Sequence, residues 1–302
     1  TTPNDSIYGY RGTPGYPAGT VLKEMPAGDV TITKDNTVLD GVYIRGRIII
    51  EADNVTVKNS RVDGAGGNDL PVIRSSGRNA SILNNQLGNS ANVLSGHYGI
   101  AFDGTGVNKA IGNNILHTHG GILFWADNTD RANDSYLVQD NWVHDMIAQA
   151  GDHMNVITSE CSANVVVDHN TLEGKVAPNS PQADIAFTIT AYSDDQGCSV
   201  TSASPYKSAS GQKAGGIENL TFTNNAGLVH GSFGLFLLDA IGTILIANNM
   251  ESDDGNGPMA DPRYLTRAPA GPQTTPPANT WRAFGNVDQS KKLYPVGSVN
   301  TQ

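Results

Sequence analysis

NKAIGNNILH (108–117), SYLVQDNWVH (135–144) and NVVVDHNTLE (164–173) are three copies of one ten-residue pattern. Each has a short alternating apolar run, a polar pair ending in Asn, an apolar residue and then a reactive one. Further copies read NVTVKNSRVD (54–63), NASILNNQLG (79–88), NLTFTNNAGL (219–228) and TILIANNMES (243–252). All align on Ser60, Asn85, Asn114, Asn141, Asn170, Asn225 and Asn249, at intervals of 25, 29, 27, 29, 55 and 24 residues. The 55-residue interval counts as two coils. A fixed period of this size over most of a chain marks a solenoid.

The strand pattern selects the type of solenoid. Segments such as VTIT, VYIRG and RIIIEA are short, rich in Val and Ile, and broken by Asp, Asn or Gly. Neither a leucine-rich consensus nor a 3.6-residue helical period is present. Three short strands per period predict an all-β, single-domain parallel β-helix over 30–255. An Asn recurring at one phase fits a ladder of inward amides bonded from coil to coil. Residues 1–29, rich in Gly, Pro and Tyr, read as a cap on the first coil, and 256–302 as an irregular tail packed on the helix.

Composition agrees. The chain has 302 residues, only 16% of them charged, and 34 glycines, the profile of many strands joined by tight turns. A net charge of −10 argues against nucleic acid or an anionic membrane surface as partner. No apolar run reaches the roughly 18 residues of a membrane span. Cys161 and Cys198 are expected to form a disulfide between neighbouring coils, which points outside the cytoplasm. The oligomeric state is not readable.

The repeat form resembles the right-handed, pectate-lyase-like superfamily of parallel β-helices. The resemblance covers about 30–255 and implies the right-handed winding. Such proteins act on polysaccharides by elimination or hydrolysis, so it also implies an extracellular, polysaccharide-directed role. The motifs of the best-known members do not carry over: GHG is reduced to VHG (229–231) or HGG (119–121), and a paired-Asp motif is lacking.

Three residues beyond the aligned Asn stand His117, His144 and Glu173, which predicts a His/His/Glu column on one face. The adjoining connections add His119, Asp145, Asp152, His153, Asp184 and His230, and six of seven histidines fall in this zone. Such clustering suits groups titrating near neutral pH, or a cation. His117 and His119, as i and i+2 of a strand, would face one side and chelate zinc; clustered carboxylates would suit calcium. For elimination, His153 or His144 would be the base, Asn155 the carboxylate partner and Tyr192 an acid. For hydrolysis, Asp152, Glu173 and Asp184 supply the carboxylate pair. Trp142 would offer a face to a sugar ring, and His119, His230 and Lys175 would line the groove. Phe102, Phe124, Phe187 and Phe236 are expected as an interior stack. The expected function is therefore a secreted polysaccharide lyase. The alternatives are a glycoside hydrolase, or a non-catalytic carbohydrate-binding, phage-tail or adhesion β-helix.

Overall fold

The computed structural model describes residues 7–67, 70–125, 133–148, 153–160, 162–174, 185–191, 217–227, 235–237, 240–251 and 280–288. These residues form three parallel sheets. Sheet 1 has ten strands, from Lys23–Glu24 to Val287–Asp288; sheet 2 has eight, from Val30–Ile32 to Leu235–Leu237; sheet 3 has nine, from Val38–Asp40 to Thr280–Phe284. The chain visits them in rotation. Tyr98–Phe102 (sheet 2), Val107–Ile111 (sheet 3) and Asn114–Leu116 (sheet 1) make one coil. Gly120–Trp125 then returns to sheet 2 beside Tyr98–Phe102, with Ile100 opposite Ile122 and Phe102 opposite Phe124. The architecture is all-β and consistent with a parallel β-helix solenoid.

Alternation decides what each strand buries. Val42 and Ile44, Ile48 and Ile50, Ile82, Ile115 and Val143 point into one continuous core, while the residues between them stay partly exposed. Each fully buried aliphatic side chain contributes about 1.5–3 kcal/mol.

The predicted Asn ladder is present, with one register correction. The rungs are Ser60, Asn85, Asn113, Asn141, Asn170, Asn225, Asn249 and Asn286. Each amide oxygen accepts the backbone N–H of the preceding rung, as from Asn113 to Asn141 at 2.9 Å. Each amide NH2 donates to a strand carbonyl, as from Asn141 to Ala110 at 2.8 Å. These buried amides are thus satisfied, which is the condition for keeping them inside. Asn113, not Asn114, is the rung. The residue before each rung is left-handed: Asn59, Asn84, Gly112, Asp140, His169, Asn224, Asn248 and Gly285 have φ between 51° and 67°. Gly112 takes that role because a glycine adopts it without steric cost. The copy is therefore 107–116, and Asn114 opens a sheet 1 strand.

Three other expectations change. The 55-residue interval is one coil, because Asn170 bonds directly to Asn225 and Thr171 pairs with Ala226. Phe102 and Phe124 do stack, 6.2 Å apart and 5° from parallel, with Tyr136 against both. Phe187 and Phe236 do not continue the column, since Phe124 is in register with Ser159 and Ser159 with Ala191. The stack also runs past residue 255: Thr280–Phe284 pairs with Ala240–Ala247, and Asn286 adds a rung. Cys161 and Cys198 lie outside the described residues.

Candidate functional site

Of the predicted cluster, His117, His119, His144, Asp145 and Glu173 fall at the corner where sheet 1 passes into sheet 2. The connections there differ in length, yet they stack. Ser95 N–H donates to His117 O (2.9 Å), His117 N–H to Asp145 O (3.1 Å), and Ile147 N–H to Thr118 O (3.0 Å). One coil's connecting residues therefore rest on the next, and their side chains are set by this secondary ladder.

Glu173 and His144 occupy equivalent places in adjacent coils. Trp142 pairs with Thr171 and Val143 with Leu172, so the next step along each strand puts His144 beside Glu173. His117 is not in this column. Leu116 is the register partner of His144, and His117 falls one step later, level with Asp145. Both are left-handed, with φ of 55° and 46°. The slip follows from the Asn113 correction, because a one-residue shift reverses every side-chain direction in a strand. The His117 ring Nδ1 instead bonds Asn89 O.

His144 is the most constrained of the group. It is 7% exposed and its Nδ1 lies 2.7 Å from Asp145 Oδ2. Its Nε2 lies 2.7 Å from Asn114 Oδ1, and its ring stacks on Trp142 with centroids 3.6 Å apart. Burial lowers its pKa below the ordinary 6.5, against the opposing pull of Asp145 and Glu173. The ring is therefore neutral at neutral pH. A neutral ring donates from Nδ1 to Asp145 and takes its second bond from the Asn114 NH2 once that amide turns over; a protonated ring donates to both oxygens.

Trp142 has no free stacking platform of the kind expected. Its indole N–H donates to Glu173 Oε1 at 2.8 Å, and its ring also meets Tyr10 at 5.9 Å. Glu173 is thereby held in place by the indole.

His119 and His117 do not form a chelating pair. Sheet 1's strand ends at Leu116 and sheet 2's begins at Gly120, so the same-side rule for strands does not apply between them. His119 is buried and its ring meets His97 at 5.0 Å. Among the described residues no group of three or more His, Cys, Asp or Glu is placed to hold a metal ion. His153 opens the sheet 2 strand His153–Glu160 opposite Ile185, and Asn155 lies half-buried on that strand opposite Phe187. Asp152, Asp184, Tyr192, His230 and Lys175 lie outside the described residues.

Sequence reasoning missed Asn114 and Tyr10. The signal for Asn114 was the glycine two residues before it. Nothing local marked Tyr10, because its contact with Trp142 spans 132 positions. No protein-family model, curated protein or solved structure matches this chain.

Proposed function

We propose that this protein is a secreted polysaccharide-degrading enzyme working by β-elimination, built on one right-handed parallel β-helix. The observation that carries the reading is the His144–Asp145 pair: a buried imidazole kept neutral and oriented through Nδ1 by a carboxylate. That is the state a general base needs. In elimination, Nε2 would take the proton next to a uronic-acid carboxylate. Those electrons form the double bond as the glycosidic C–O bond on the adjacent carbon breaks, and the leaving oxygen takes a proton from solvent water. Asn114 must release Nε2 for this to occur, and Glu173, beside His144 in the next coil, is placed to orient a sugar hydroxyl.

A second reading has its own support. His144 already has both ring nitrogens bonded and one face on Trp142, as in a purely structural weld between coils. It corresponds to a non-catalytic carbohydrate-binding or adhesion β-helix.

Incubation with a panel of acidic and neutral glycans separates these readings. Elimination raises both the ultraviolet absorbance of the unsaturated product and the reducing ends. Hydrolysis raises reducing ends alone. Glycan binding with neither change supports the second reading and ends the enzymatic one for those substrates.

A further inference from the structure

Residues 7–16 lie outside the strand order of all three sheets. Rather than close over the first coil, they run back along the outside of the solenoid. Gly9 N–H donates to Asn224 O (2.9 Å), Tyr10 N–H to Thr171 Oγ1 (3.3 Å), and Gly15 N–H to Gly112 O (2.7 Å). Between them Arg11 grips Asp140, with its backbone N–H and Nε on Oδ1 and its Nη2 on Oδ2, each at 2.9 Å. The anchors belong to four successive coils. Three coil spacings of about 4.8 Å need about 14 Å, and six residues reach about 20 Å when extended, so the segment spans them without strain.

The path crosses the candidate site. Tyr10 bonds Thr171 and sets its ring against Trp142, whose own indole holds Glu173. Gly15 lies against Asn114, the partner of His144: a Cβ at Gly15 would stand 3.4 Å from the Asn114 Cβ. Any extended ligand lying along this part of sheet 1 meets the segment first. The Arg11 side chain is 52% exposed, so its bidentate pair with Asp140 is open to screening by salt. Tyr8 packs against Ala226, Met250 and Val287 and Tyr10 against Trp142, while Gly9, Gly12 and Gly15 contribute no side chains.

We propose that residues 7–16 are a displaceable cover over the Trp142–Glu173 stretch of sheet 1, and that a glycan chain must lift it to reach His144. The inference that a glycan lifts it rests on the function proposed above; the cover itself can be tested apart from it.

Trp142 is one of three tryptophans, so Trp125→Phe with Trp281→Phe leaves it as the sole indole reporter. In that full-length background, Arg11→Glu reverses the charge facing Asp140, while Asp140→Asn removes the carboxylate yet suits the left-handed backbone there. Both variants should raise acrylamide quenching of Trp142 by about twofold or more, and added salt should raise it in the parent. Unchanged quenching in both variants overturns the cover. A soluble uronic-acid polymer supplies the second arm: both variants should bind or turn it over faster by about threefold or more. Equal behaviour of parent and variants on a polymer they all bind overturns the glycan-gating role. If none of them touches any glycan, the polysaccharide reading and the gating role fall together, and quenching alone decides the cover.

Discussion

Two corners of the same solenoid are built on opposite rules. Between sheets 3 and 1, the turn is a left-handed residue followed by a buried rung, repeated from Asn59–Ser60 to Gly285–Asn286 after a first turn in which Val42 follows Gly41. Between sheets 1 and 2, the connections differ in length, as the three residues 117–119 and the ten of 88–97 show. The first corner is uniform because an inward amide tolerates no change: each must satisfy its neighbours above and below. The second carries no ladder of inward amides, so although Val72, Met146 and Ala148 reach the core its length is free to vary, and there the reactive side chains collect. Uniformity at one edge is what permits variety at the other.

The contrast is most directly tested by removing a rung. Asn141→Ala leaves Asn113 N–H without its acceptor and removes one bond each from the Asn113 NH2, which keeps Ile82 O, and from Ala110 O. At about 1–3 kcal/mol for the orphaned N–H, with the two other lost bonds adding to it, the loss should reach about 4 kcal/mol in urea unfolding. Asp145→Ala, at the other corner, should cost far less. Comparable losses in Asn141→Ala and Asp145→Ala would end the distinction.

A single rigid point in the variable corner comes next. Gly88 has φ of 108° and an added Cβ would fall 1.8 Å from Leu116 O, so Gly88→Ala should cost about 3 kcal/mol by the same assay. A loss well below this would show that the corner yields even where its backbone is tightest.

On the proposed function, His144→Gln should slow glycan elimination by about 100-fold or more while the chain stays folded by circular dichroism. A folded, fully active variant would move the chemistry elsewhere, His153 being the next residue to test.

The pH dependence of stability is a smaller effect. Burial depresses the folded pKa of His144 below 6.5, so the unfolded chain binds more protons in the window between the two values. Stability from this group is therefore full above 6.5 and falls as pH drops through that window toward the folded value. Chemical denaturation at stepped pH should show the slope, and His144→Gln should flatten it. A slope identical in both chains would assign it to other groups.

Smallest is the effect of Asp145→Asn. It removes the chief interaction that raises the His144 pKa against burial, so an NMR titration of the ring should shift to still lower pH. A shift upward would mean that Asp145 is not the partner of Nδ1 in solution.

Much of the scaffold was legible beforehand. Period-2 alternation placed the core face of the strands, and the recurring Asn marked the ladder. The slip at 113/114 arose because two asparagines stand together, and only the left-handed requirement at Gly112 separates them. The 55-residue interval misled because its length fits two coils, whereas the bond from Asn170 to Asn225 makes it one coil with a long insertion. The site was legible as a zone and not as a geometry. His144, Glu173, His117 and His119 do gather at one corner, but which of them touch was set by the stacking of the connections.

Local chemistry, acting over a few residues, is enough to specify an all-β repeat with a buried amide at one phase. Alternation, left-handed turns and the need of an inward Asn for partners are written in each coil separately. Only the tertiary structure could decide that His144 meets Asn114, that Trp142 holds Glu173, and that Tyr10 and Arg11 lie across them. Those contacts join residues 30 to about 130 positions apart in the chain. They depend on coil register, where a slip of one residue turns a side chain to the opposite face.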